Sequence, residues 1–81
     1  MQEGRATRQT STNQMQQQVL RGQAPDTVVR VDPARVKFEQ PNIHFTDGSA
    51  LNIDGTWKHG GRALSNAETE WLLTNGWSTP K

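Results

Sequence analysis

Residues 42–62, Asn-Ile-His-Phe-Thr-Asp-Gly-Ser-Ala-Leu-Asn-Ile-Asp-Gly-Thr-Trp-Lys-His-Gly-Gly-Arg, decide the fold of this 81-residue chain. Two Asp-Gly pairs, Asp47-Gly48 and Asp54-Gly55, punctuate the stretch. Asp-Gly between alternating apolar residues signals a hairpin turn, so three short antiparallel strands are predicted. Alternation then assigns the faces. Ile43 and Phe45 share one side of the first strand, opposite Asn42, His44 and Thr46. Leu51 and Ile53 share one side of the second, opposite Asn52 and Asp54.

Matching apolar to apolar requires loops of odd length. With Asp47-Gly48-Ser49 as a three-residue loop, Phe45 faces Leu51 and Ile43 faces Ile53. A two-residue loop would set His44 against Leu51, because a one-residue slip turns every side chain over. The same argument at Asp54-Gly55-Thr56 pairs Ile53 with Trp57 and Asn52 with Lys58. One face is then Ile43, Phe45, Leu51, Ile53 and Trp57. The other gathers His44, Asn52 and Lys58, with Asp54 and Thr56 at the turn. An acid or base, an amide and a cation on one face can serve phosphate chemistry. On an arbitrary hairpin the same residues more often form a solvated surface.

Upstream, Val36 and Phe38 alternate with Lys37 and Glu39 and predict a brief strand that Pro41 separates from the hairpin. Residues 28–31 predict another, with Val29 and Val31 on one side and Arg30 on the other. Pro33 ends that strand or confines it to an edge. Arg21-Gly22-Gln23-Ala24-Pro25 is a loop. Residues 12–20 can form a short helix with Met15, Val19 and Leu20 on one stripe, Ser11 or Thr12 as N-cap and Gly22 at its stop. Residues 1–19 are rich in Gln, Ser and Thr and too polar to order alone. They read as a polar tail or linker containing that helix, and residues 20–81 as the globular domain.

Downstream, Gly60-Gly61 breaks the chain. Ser65 and Glu68 then form a capping box, which predicts a helix from Asn66 to about Asn75. Ala67, Trp71 and Leu72 lie on the side that would cover the hairpin's apolar face. Gly76 suits the left-handed position after the helix, and Trp77 follows where it can touch Leu72. The chain's aromatic residues, Phe38, Phe45, Trp57, Trp71 and Trp77, read as core, since so short a chain has few other large side chains to bury.

Composition bounds the rest. The chain has room for one small domain with a modest core. It has no cysteine, so neither a disulfide framework nor a thiolate zinc site can form. No apolar run is long enough for a membrane span or a signal peptide. A net charge of +1 does not by itself call for nucleic acid.

Several of these segments together resemble a known family. They are residues 21–25 (Arg-Gly-Gln-Ala-Pro), residues 29–32 (Val-Arg-Val-Asp), the run from His44 to Gly60 and the ending from Glu70 to Trp77. They look like the C-terminal toxin domains of bacterial polymorphic toxins, among them contact-dependent growth inhibition effectors and toxins with LXG-type N-termini. The resemblance spans residues 20–78, and residues 54–60, Asp-Gly-Thr-Trp-Lys-His-Gly, are its most specific part. It implies a small α+β ribonuclease of the barnase-like broad class, borne by a larger secreted or cell-surface effector and delivered to the target-cell cytoplasm. It further implies RNA, often tRNA, as substrate, a cognate immunity protein as partner, and for some relatives elongation factor Tu as a target-cell factor. Neither a metal nor another cofactor is implied.

A metal-free ribonuclease needs a base for the ribose 2′-OH, an acid for the leaving oxygen and a cation for the charge on phosphorus. His44 and His59 are the acid/base candidates, since free imidazole titrates at about 6.5. Lys58 can neutralise the phosphate, and Thr56 can hydrogen-bond one of its oxygens. The register brings His44, Thr56 and Lys58 together and sends His59 to the opposite face, unless the third strand ends before it and Gly60-Gly61 lets it swing round. Arg21 can clamp a phosphate or pair with Asp26 or Asp32. Arg30, Arg35, Lys37 and Arg62 can bind the RNA backbone or serve as ordinary solubilising charge.

Two other readings compete. His44, Asn52 and His59 spell the order of a His-Asn-His metal nuclease. That class needs its last histidine on a helix, which Gly60-Gly61 opposes. A non-catalytic module binding a protein through the hairpin face is the second. No Walker, dinucleotide-binding or nucleophile-elbow pattern is present. The fold expected is a small α+β domain: a twisted, hairpin-rich antiparallel sheet packed against a C-terminal helix, with a short helix near the N-terminus.

Overall fold

Each Asp-Gly pair builds the same turn in the computed structural model, which describes residues 9–80. Residues 1–8 of the predicted polar tail lie outside the described residues. The Asp47 carboxylate accepts from the amide of Ser49 at 2.9 Å and from its hydroxyl at 2.6 Å. Asp54 accepts likewise from Thr56, at 3.0 and 2.5 Å. The amides of Gly48 and Gly55 donate back to the carbonyls of Phe45 and Asn52, and both glycines sit at φ 90°. This is a three-residue hairpin loop closed by a left-handed glycine.

The loops are therefore Thr46-Asp47-Gly48 and Ile53-Asp54-Gly55, each one residue earlier than expected. Ser49 and Thr56 join the ladder: the Phe45 amide donates to the Ser49 carbonyl at 2.9 Å and the Asn52 amide to the Thr56 carbonyl at 2.8 Å. Leu51, rather than Ile53, faces both Ile43 and Trp57. The register differs by two residues, so these hairpin side chains keep their predicted faces.

The strands β1 (Val28–Asp32), β2 (Asn42–Phe45), β3 (Ala50–Asn52) and β4 (Trp57–His59) form one antiparallel sheet in the order 1-2-3-4. Helix α1 (Thr12–Leu20) precedes the sheet and α2 (Asn66–Thr74) follows it. The core lies between the sheet's apolar face and the helical layer. Val31, Ile43, Phe45 and Leu51 meet Met15 of α1 and Leu72 of α2 there.

Four expectations are corrected here. Val29 does not share a face with Val31. Val28 pairs with Phe45 and Arg30 with His44, so a bulge at Val29 breaks the alternation and leaves it 48% exposed while Val28 is buried. No strand forms over residues 36–38. Proline stands at both ends of this segment, and the Glu39 amide closes a turn onto the Val36 carbonyl at 3.1 Å. Phe38 is consequently 91% exposed, not core. Ala67 faces solvent, and Glu68 takes the inward place on α2.

The helices begin and end as their sequences direct. Ser11 caps α1 with Gln14 as its reciprocal partner, and Ser65 caps α2 with Glu68. After α2 the Trp77 amide donates to the Leu72 carbonyl and the Gly76 amide to that of Leu73, a Schellman ending that lays Trp77 into the core. Leu20, expected on the apolar stripe of α1, is exposed, while Met15 is fully buried.

Helix α1 is integral to the domain. Gln16 accepts from the Val31 amide at 2.8 Å, which covers the free edge of β1. Gln18 accepts from the Trp71 indole at 2.7 Å and donates to Asn75 at 3.0 Å. A domain boundary between residues 19 and 20 would divide one core. No helix among the described residues is long and apolar enough to cross a membrane.

The repeated turn permits a matched test. A Cβ at Gly48 would meet nothing within 4 Å, whereas at Gly55 it would lie 2.8 Å from the Thr79 carbonyl oxygen. Gly48→Ala is expected to cost about 1 kcal/mol through its backbone conformation alone. Gly55→Ala is expected to cost roughly 2–4 kcal/mol, because the C-terminal backbone must also shift. Equal urea midpoints for the two variants would remove the steric part of this argument.

Candidate active site

Two bulges assemble the polar face of the sheet. In a bulge, two residues on one strand oppose one on its neighbour. Val29 and Arg30 oppose His44, and Lys58 and His59 oppose Ala50. Ala50 also pairs with His44. One row across the sheet thus runs Arg30, His44, Ala50, His59, with Lys58 beside it. The next row holds Asp32, Asn42 and Asn52.

His59 therefore joins the row of His44 instead of the opposite face. The bulge at Lys58 supplies the extra residue that a regular register lacks. His44 and His59 stand two strand spacings apart, about 10 Å. On the strand between them lies Ala50, whose methyl group is fully buried.

His44 is held on one side. Its Nε2 lies 3.1 Å from Asp32 Oδ2 and 3.5 Å from Arg30 Nη2. Arg30 Nε also donates to both Asp32 oxygens, at 3.0 and 3.1 Å. The nearer carboxylate selects the tautomer with hydrogen on Nε2 and leaves Nδ1 as the free acceptor. The His44 side chain is 25% exposed. Its pKa is lowered from 6.5, first by burial and then by the charge of Arg30; Asp32 opposes this and Lys58 adds to it. His44 is accordingly neutral at neutral pH.

Residues 33–41 run across this face from β1 toward β4. Glu39 reaches Lys58, Oε2 to Nζ at 3.3 Å, and its other oxygen accepts from the Arg35 amide at 2.8 Å. The Arg35 amide and then Lys58 hold the Glu39 pKa below its ordinary value. The Gln40 amide donates to Asp54 at 3.0 Å and its oxygen accepts from the Asp54 amide at 3.2 Å. Asn42 and Ala50 are buried although they belong to the polar rows.

The remaining candidates separate into three groups. Arg30 is in the row, and Arg35 and Lys37 are on the crossing segment. Thr56 stands at the β3–β4 turn, where its hydroxyl donates to Asp54 and accepts from Asn52 at 3.2 Å. Its one hydrogen is therefore spent within the turn. Arg21 ends α1 in the helical layer, apart from His44. Arg62 stands beyond β4, paired with Asp47 at 2.5 Å and Glu68 at 2.9 Å and 5.0 Å above the Phe45 ring. It is the most heavily committed cation among the described residues.

Sequence reasoning missed Asp32 and Glu39. Asp32 alternates with Arg30, so pairing β1 with β2 would have set both beside His44. Glu39 carried no such signal, because its strand does not form. Among the described residues no three His, Asp or Glu side chains converge as a metal-ligand set, and His59 ends a strand, not a helix. No protein-family model, curated protein or solved structure matches this chain. What the described residues define is a class of architecture, a small α+β domain with a polar, histidine-bearing sheet face.

Proposed function

We propose that this face cleaves RNA by metal-independent acid–base catalysis. The observation that carries the reading is His44, held by Asp32 in a sheet row that also contains His59, with Lys58 beside it. In this reaction His44 Nδ1 takes the proton of a ribose 2′-OH. The 2′ oxygen attacks the adjacent phosphorus, and the bond to the 5′ oxygen breaks. His59 gives that oxygen a proton. Lys58 and Arg30 offset the charge that grows on the phosphoryl oxygens. The products are a 2′,3′-cyclic phosphate and a 5′-hydroxyl.

The resemblance to polymorphic-toxin domains supports the same chemistry. On this reading the domain belongs to the barnase-like broad class of ribonucleases. Its substrate is tRNA in a competing bacterium, reached from a secreted or cell-surface effector. A cognate immunity protein neutralises it, and elongation factor Tu is the candidate host factor.

The test is incubation of the purified protein with total bacterial tRNA in EDTA, with and without elongation factor Tu. Discrete fragments ending in a cyclic phosphate are expected. Intact tRNA in both arms, from protein shown to be folded, would overturn the proposal. Cleavage that EDTA abolishes would replace it with metal-dependent chemistry.

A further inference from the structure

Four of the five aromatic side chains pack in or against the core; Phe38 is 91% exposed. Burying such a ring stabilises a fold, and this residue forgoes that gain. Its setting is specific. The turn that carries it is closed by Glu39 accepting from the Arg35 amide, and is held to the sheet just after the ring, through Glu39 to Lys58 and Gln40 to Asp54. The ring is therefore presented beside the His44 face instead of on a free tail. Lys37 Nζ lies 5.7 Å from the ring centroid, and Arg35 precedes it on the same turn.

We propose that Phe38 is a stacking platform for an unpaired base of the RNA, with Arg35 and Lys37 contacting the adjoining phosphates; this rests on the ribonuclease reading above. A π face beside two cations suits a polyanion of flat rings, because every base can stack whatever its sequence. Base faces in a duplex are already stacked on each other, so the platform selects unpaired nucleotides. The substrate class is thus a single-stranded loop or end, placed so that the neighbouring phosphate lies between His44 and His59.

The experiment measures kcat and KM in EDTA for a fluorescently labelled single-stranded RNA and for the same strand annealed to its complement. Wild type is compared with Phe38→Ala, Phe38→Leu and Phe38→Trp. The exposed ring supports no core contact, so all four proteins are expected to share one urea midpoint. Wild type is expected to favour the single strand. Phe38→Ala and Phe38→Leu should each raise KM on it roughly tenfold with kcat little changed, and Phe38→Trp should restore it. An unchanged KM in Phe38→Ala would overturn the platform and leave the ribonuclease standing. A wild type that cuts neither RNA would overturn both.

Discussion

His44→Ala is expected to lower kcat/KM for RNA cleavage in EDTA by roughly 10²–10⁴-fold, the usual contribution of a positioned base. The fold should survive, because the side chain lies on the polar face with Asp32 and Arg30. The pH profile supplies a finer test. A base must be deprotonated to act, so the rate rises with pH through the pKa of His44. Burial and the charge of Arg30 hold that pKa below 6.5, which places the acid limb below 6.5 and the plateau at neutral pH. Arg30→Ala removes a depressing charge, so the limb moves up. Asp32→Asn removes the group that raises it, so the limb moves down. The same change frees the tautomer, so the plateau rate falls as well. Acid limbs that coincide in wild type and Arg30→Ala would take His44 out of the rate equation.

Local chemistry made much of this fold legible. The capping residues Ser11, Ser65 and Glu68 and the stop at Gly76 each act within four residues of the chain, and each occurs where its sequence signature stands. The hairpin faces followed from alternation, which tolerates a shift of two. What remained hidden depends on partners distant in sequence. Nothing in residues 28–32 announces that Val29 will bulge, since that is set by pairing with β2. Nothing in residues 57–59 announces that Lys58 will. The bulge at Lys58 brings His59 into the row of His44, and β1–β2 pairing brings Arg30 there, so the candidate site was legible in its residue types and not in its geometry. Thr56 shows the reverse error. Its hydroxyl suited a phosphate, but the turn that positions it also consumes it.

Arg62 has a role that its charge alone did not reveal. Its guanidinium forks onto both oxygens of Glu68 at 2.9 Å while Nε holds Asp47. One cation thereby ties the β2–β3 turn and the chain after β4 to the first turn of α2. The histidine row is built on bulges, and bulges are sensitive to strand position. The network on the apolar side of the sheet keeps the strands in place for the polar side. Stability and catalysis are therefore expected to separate by face: changes at Arg62 and Glu68 unfold the domain, and changes at His44 spare it.

Glu68→Ala is expected to destabilise the domain by about 3–5 kcal/mol, the range for removing one partner of a buried ion pair. Glu68 is 2% exposed. Besides the two Arg62 bonds it accepts from Thr27 Oγ1 at 2.5 Å and from the Ser65 amide at 2.8 Å. Its loss leaves those donors without their acceptor and removes half of the α2 capping box, the bond from the Ser65 amide, while Ser65 Oγ still accepts from the residue-68 amide. The same group makes folding acid-sensitive, and the sign follows from its pKa. Arg62 first, then Thr27 and Ser65, hold Glu68 at about 2 against an ordinary 4.5. The folded state binds the proton less well than the unfolded state, so stability is full above 4.5 and drains away as pH falls toward 2. The amount is about 3 kcal/mol. Asp47, held at about 2 by Ser49 and then Arg62, adds to the loss in the same direction. A chain of 81 residues has only roughly 4–12 kcal/mol in hand, so wild type should unfold at much lower urea at pH 3 than at pH 7. Glu68→Gln keeps the shape but turns an amide toward Arg62. It should be weaker than wild type at pH 7 and should lose less than wild type on going to pH 3. Tryptophan fluorescence of Trp71 and Trp77, both buried beside α2, follows the transition. A Glu68→Gln midpoint equal to wild type at pH 7 would mean that the ionised pair contributes no net stability, and the acid sensitivity would then have to come from another group.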